Sequence, residues 1–149
     1  MTTFEILLVE DNPGDVLLTR EAFREGRFAH RLSVVEDGED ALSFLRREGK
    51  HSAAPKPDLI LLDLNLPKMD GREVLGHVKK DPALQQIPVI VLTTSGAEQD
   101  VLKAYNLHAN CYLTKPIEVE DFIQTVRSVE EFWFAVVRLP SQQPRGPFM

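Results

Sequence analysis

Residues 59–71 read Leu-Ile-Leu-Leu-Asp-Leu-Asn-Leu-Pro-Lys-Met-Asp-Gly. Four large apolar side chains in a row, ended by an acid, do not alternate as a strand with one wet face would. They fit a strand covered on both faces, as a parallel sheet between helical layers requires. Shortly after, Asp70-Gly71-Arg72-Glu73 reads as a capping box, an acid at the cap and another three residues on, which opens a helix. Working outward, runs of the same kind stand at 6–9, 32–35 and 89–92, with a weaker one at 111–113. Asn12-Pro13-Gly14-Asp15 offers an N-cap, a proline at the first helical position and, in Asp15, an early acid, and Ser95-Gly96-Ala97-Glu98 a second capping box. Strand then helix, repeated five times under the right-handed crossover rule, predicts an open, doubly wound α/β sheet.

The 149 residues, 43% apolar and 27% charged, suffice for one core without a disulfide or structural metal. Cys111 is the sole cysteine and reads as a small core hydrophobe. The histidines at 30, 51, 77 and 108 lack ligand-like spacing, so no zinc cluster is expected and a reducing, cytoplasmic setting fits. The longest apolar run, 132–137, is far short of the roughly 18 residues a membrane span needs. A net charge of −6 without a Lys/Arg stripe argues against DNA or RNA as partner. Residues 48–57 are expected to bulge as a polar connection, and 141–149 to form a mobile tail.

Ligands of open α/β sheets bind at the carboxyl ends of the strands. Glu10 and Asp11 follow the first run, Asp63 the third, Thr93 the fourth, and Thr114-Lys115-Pro116 the fifth. An acid after one strand is commonly only a helix cap; acids, a hydroxyl and an ammonium together at four strand ends point to a site. Three carboxylates within a few ångströms repel unless protons or a cation intervene, and an all-oxygen set favours Mg²⁺ or Mn²⁺. A carboxylate beside such an ion can attack phosphorus, and Asp63 is best placed to do so. Lys115 would neutralise charge on the transferring group, and Thr93 would donate a hydrogen bond to it.

Four motifs, ILLVEDN, LILLDLNLPKMDG, PVIVLTTS and YLTKP, resemble those of the receiver domains of two-component response regulators, the group that includes CheY, over residues 5–129. The resemblance implies a flavodoxin-like (βα)5 sandwich with strand order 2-1-3-4-5, and a domain over 1–129. It implies Asp63 as phosphoacceptor, Glu10 and Asp11 as the pair that organises Mg²⁺, Asn65 as a carbonyl ligand, and Thr93 and Lys115 as the hydroxyl and lysine. Tyr112 matches the switch aromatic. Such a protein is a phosphoacceptor fed by a histidine kinase rather than an enzyme, though it assists its own phosphorylation and dephosphorylation. Glu10 departs from the commoner aspartate, and Thr94 stands where many receivers carry a smaller residue.

Residues 130–140 extend past the apolar stripe Val119, Phe122, Ile123 and Val126 of the last expected helix. Every position from 132 to 137 is apolar, so a helix there would be greasy all round. Extra packing within the monomer is one reading; pairing of two chains through Phe132, Trp133, Phe134, Val136 and Val137 is the preferred one. Short receivers with such an aromatic extension followed by Leu-Pro resemble those encoded with phytochrome-type histidine kinases. The output is then a contact made by the receiver or transfer of the phosphoryl group onward, with no room for a DNA-binding helix pair after residue 140.

Three other classes fit less well. A phosphatase of the haloacid dehalogenase type needs a second aspartate two positions after the nucleophile, where this chain has Asn65. A flavodoxin-like FMN binder needs backbone donors facing a phosphate after the first strand, where Glu10 and Asp11 would repel it. A phosphorylation-independent docking module leaves the acid, hydroxyl and lysine set unexplained.

Overall fold

The computed structural model describes residues 4–24, 30–93, 111–115, 120, 121 and 124. Five strands, β1 (Phe4–Val9), β2 (His30–Val35), β3 (Leu59–Asp63), β4 (Val89–Thr93) and β5 (Cys111–Thr114), form one sheet. All neighbours are parallel, and the order is β2-β1-β3-β4-β5, as expected. The helices are α1 (Pro13–Arg24), α2 (Gly38–Arg46) and α3 (Gly71–Lys80), with a 3-10 turn at Gly49–His51. β3, β4 and β5 each run one residue past their apolar run, so Asp63, Thr93 and Thr114 are the last strand residues. The helix expected at Ser95, the stripe Val119, Phe122, Ile123 and Val126, residues 130–149 with the proposed pairing residues, Thr94, His108 and Pro116 lie outside the described residues.

Alternating strand residues point to opposite faces, and the sheet accordingly divides its core in two. Leu7, Val9, Ile60, Leu62, Val89 and Val91 pack under α2 and α3 on one face. On the other, Ile6, Leu8, Leu59, Leu61, Ile90 and Leu92 meet Ala22 and Phe23 of α1. Every residue of β3 and β4 is buried, which explains their unbroken apolar runs. Among the described residues no helix is long and apolar enough to cross a membrane.

Helix starts follow the sequence with one change of detail. The Asn12 side chain accepts the Asp15 N–H at 3.0 Å, capping α1. Asp70 caps α3 by accepting the Arg72 N–H at 2.7 Å, one residue earlier than a full capping box would place it. Asp37, not singled out in the sequence, caps α2 through the Asp40 N–H at 2.8 Å. The 48–57 connection is pinned rather than loose: His51 bonds Asp40 at 2.8 Å, its ring lies 5.1 Å from that of Phe44, and Pro57 is buried. One aromatic and one carboxylate on α2 supply an anchor that a polar composition conceals.

Gly71 matters most for the site. A side chain there would collide with the Asp63 carbonyl oxygen and the Leu64 Cα, because α3 begins against the backbone that leaves β3. The Gly71 N–H donates to Leu64 O at 3.0 Å, fixing that approach. Gly76, midway along the same helix, has nothing within 4 Å of where a Cβ would stand. Gly71→Ala should cost about 1–3 kcal/mol through overpacking, whereas Gly76→Ala should gain about 0.5–1 kcal/mol of helix stability. Urea unfolding of both variants checks this: midpoints that shift in the same direction contradict it.

Candidate functional site

Three parallel strands deliver acids or their neighbours to one edge of the sheet. β1 runs into Glu10 and Asp11, β3 ends on Asp63, and β5 hands over to Lys115. The Glu10 N–H donates to Val35 O at 3.0 Å, continuing the β1–β2 ladder for one more residue. The Lys115 N–H donates to Thr93 O at 2.6 Å and does the same between β4 and β5. Backbone hydrogen bonding thus helps to aim both side chains independently of their side-chain contacts.

Carboxylate oxygens of Glu10, Asp11 and Asp63 all lie within 4.8 Å of one another. Glu10 and Asp63 are buried, at 1% and 2% exposure, while Asp11 is open to solvent. Hard oxygen donors at this spacing, one side of them wet, fit a divalent cation that keeps part of its water shell, as Mg²⁺ does. Asp63 Oδ1 accepts the Asn65 N–H at 3.2 Å, which turns the backbone after Asp63 back toward the cluster.

The Lys115 ammonium bridges the acids. It lies 3.3 Å from Glu10 Oε1, 3.3 Å from Asp63 Oδ2 and 3.0 Å from Asp15 Oδ2. Burial pushes the Glu10 carboxyl up to about 7, reinforced by the hydrogen bond and like charge of Asp63 and opposed by Lys115. For Lys115 burial acts downward, but the Asp15 bond and the charges of Asp63 and Glu10 outweigh it and hold the ammonium above its ordinary range. Burial, repulsion among the acids and attraction to one cation therefore act together on the site.

The structure brings together Glu10, Asp11, Asp63 and Lys115, with Asn65 beside them through its backbone. Thr93 is fully buried at the end of β4, in register with Thr114. Tyr112 sits opposite Val91 in β5 and packs partly buried against the core on the α2–α3 face, where burial raises its phenol pKa. Val91 and Thr93, two residues apart on one strand, share a face. Tyr112 thus stands in register one step before Thr93 on that face. His77 is exposed in the last turn of α3 and stands apart from the site.

Asp15 is the residue that the sequence reading used only as a first-turn helix acid. A signal was present, since Cα–Cβ bonds lean toward a helix N-terminus. An acid in the first turn of a helix that starts at the site is inclined back over the strand ends.

Residues 6–127 match the response regulator receiver domain family. This chain is a response regulator receiver domain. It is 48% identical to the response regulator Rcp1 of Synechocystis sp. over 136 residues, 91% of this chain and 92% of that protein. The crystal structure of the phosphorylated cyanobacterial phytochrome response regulator RcpA is similar at TM-score 0.76 and 48% identity, covering 93% of this chain and 99% of the other. The Mn²⁺-bound form of Rcp1 matches at TM-score 0.74 and 48% identity, covering 92% and 99%. Receivers are signalling modules of two-component phosphorelays, and the acid cluster in this one can hold a divalent cation. With two buried carboxylates and one exposed one as donors, Glu10→Gln and Asp63→Asn should each weaken Mg²⁺ binding by about tenfold or more. Isothermal titration at fixed ionic strength measures this, and affinities within twofold of wild type contradict the donor set.

Proposed function

We propose that Asp63 accepts a phosphoryl group from the phosphohistidine of a histidine kinase of the phytochrome type. One observation supports it above the others: a buried aspartate at a strand end has an ammonium 3.3 Å from one oxygen and two further acids within 4.8 Å. An Asp63 oxygen attacks phosphorus; the O–P bond forms as the P–N bond breaks, and the imidazole nitrogen leaves with the electron pair. Glu10, Asp11, Asp63 and the Asn65 carbonyl would hold Mg²⁺, whose charge stabilises the oxygens of the transferring group.

The remaining work falls to the chain's own groups. Lys115 neutralises one phosphoryl oxygen, and the Thr93 hydroxyl donates to another. Thr93 sits above Tyr112 on the same sheet face, so a Thr93 hydroxyl drawn toward a phosphoryl group alters the packing beside Tyr112. Added charge at Asp63 then biases a surface that other proteins read, or the group passes to a second histidine. Hydrolysis assisted by the same residues resets the switch. The phytochrome pairing rests on the likeness to Rcp1 and RcpA and on the aromatic extension followed by Leu139-Pro140. The kinase partner proposed here and the single cysteine support a cytoplasmic location.

Intact-mass spectrometry after incubation with Mg²⁺ and acetyl phosphate tests the acceptor. A gain of about 80 Da is expected in wild type and none in Asp63→Asn; equal adducts in both, or steady release of inorganic phosphate from phosphomonoesters, would overturn the reading. The apolar run 132–137 supports pairing of two copies on sequence grounds, because its aromatic side chains have no polar face to leave in water. Analytical ultracentrifugation should show a dimer in the micromolar range that Phe132→Ser with Phe134→Ser converts to monomer. A wild-type chain that stays monomeric at high concentration contradicts it.

A further inference from the structure

We propose that Asp15 is a positioning residue that draws the Lys115 ammonium aside, so that a divalent cation can occupy Glu10, Asp11 and Asp63 while the lysine stays within the site. The proposal rests on reading the acid cluster as a cation site. Its basis is a conflict in the geometry. Glu10 Oε1 and Asp63 Oδ2, two carboxylates of the cation cluster, are both engaged by Lys115 Nζ at 3.3 Å. A cation and an ammonium sharing those oxygens repel each other across a few ångströms of partly buried space.

Asp15 resolves the conflict because it is a contact of Lys115 that lies outside the cluster. Its Oδ2 approaches Nζ to 3.0 Å, closer than either of the other two. Its backbone is held from both sides: the N–H donates to Asn12 Oδ1 at 3.0 Å, and the carbonyl accepts the Thr19 hydroxyl at 2.8 Å. Thr19 is itself buried, which ties the first turn of α1 to the core. The carboxylate is therefore a fixed counter-charge beside the cluster. As a cation claims Glu10 and Asp63, the ammonium keeps a partner by shifting its weight toward Asp15.

A structural role for Asp15 as a first-turn acid predicts something different. Favourable interaction with the α1 dipole would change stability and leave the coupling to Lys115 at zero. A plain electrostatic role would weaken cation binding whether or not Lys115 is present. The decisive experiment is a double-mutant cycle on the full chain: wild type, Asp15→Asn, Lys115→Met and the double variant, each titrated calorimetrically with Mg²⁺ at one pH and ionic strength. Asp15→Asn should weaken Mg²⁺ binding about threefold to tenfold when Lys115 is present. In the Lys115→Met background the same change should alter affinity less than about twofold.

Equal weakening in both backgrounds, or none in either, overturns the proposal and leaves the cation site intact. Absence of Mg²⁺ binding by wild type overturns the cluster reading together with it. Circular dichroism verifies that all four proteins fold; should Asp15→Asn fail to do so, Asp15→Ser, which keeps a short polar side chain in the first turn, replaces it in the cycle.

Discussion

A single ammonium lies among three carboxylates that reach it from the end of one strand, the end of another and the first turn of a helix. Lys115 is separated from Asp15 by 100 residues and from Glu10 by 105, so the contact exists only when the parallel sheet is complete. Conversely, without a cation at that edge the sheet would end in clustered, partly buried acids. At about 4 Å and an effective dielectric constant near 20, two unit charges attract by around 4 kcal/mol, a gain that the cost of taking them out of water largely offsets. The placement of positive charge among these acids thus depends on the completed sheet and sets the electrostatics of the site.

The fold achieves that placement with backbone rather than with bulk. β1 and β5 each extend their ladder by one hydrogen bond past the last regular strand residue, and those two bonds aim Glu10 and Lys115. Between them, the loop after β3 is held close by two glycines. Gly71 lets α3 start against the Asp63 carbonyl, and Gly38 at the start of α2 admits the Met69 backbone, which a Cβ would strike. Lys68, at a positive φ of 66°, completes the loop and reaches Asp37 at 3.7 Å. Tight backbone approach on both sides leaves the Asp63 backbone little freedom to move, which suits the acceptor role proposed for it.

Most of the sheet was legible because both faces are covered. Continuous runs such as Leu59-Ile60-Leu61-Leu62 mark buried parallel strands, and the crossover rule arranges them. The site acids were legible for the same reason, since a carboxylate directly after such a run has nowhere to go except the strand end. What escaped notice depends on contacts across sequence distance. Asp15 reads as an ordinary helix acid until β5 brings Lys115 beside it. His51 lies in a polar connection and acquires a role only by packing on Phe44 and bonding Asp40. The caps show the finer limit: Asp70 and Glu73 have the spacing of a capping box, yet the cap oxygen takes the nearer Arg72 N–H, a choice made by local backbone angles that composition does not encode.

Glu10 shows how one added methylene can be absorbed. An aspartate at this position has a shorter reach, whereas the glutamate spans two partners: Oε2 accepts the Asn12 N–H at 3.2 Å and Oε1 meets Lys115 at 3.3 Å. One oxygen thereby anchors the start of α1 and the other faces the cation cluster. Such a strut couples the position of α1, and hence of Asp15, to the charge held between Glu10 and Asp63. Buried at 1% exposure, the Glu10 carboxylate has little water to turn to, so any adjustment passes to its partners Asn12, Asp63 and Lys115. Of these the Asn12 N–H is fixed to the chain, whereas Lys115 sits at the end of a four-carbon stem. On the proposal that Asp15 positions Lys115, the lysine is the part of the network that moves, and the acid on α1 keeps that movement short.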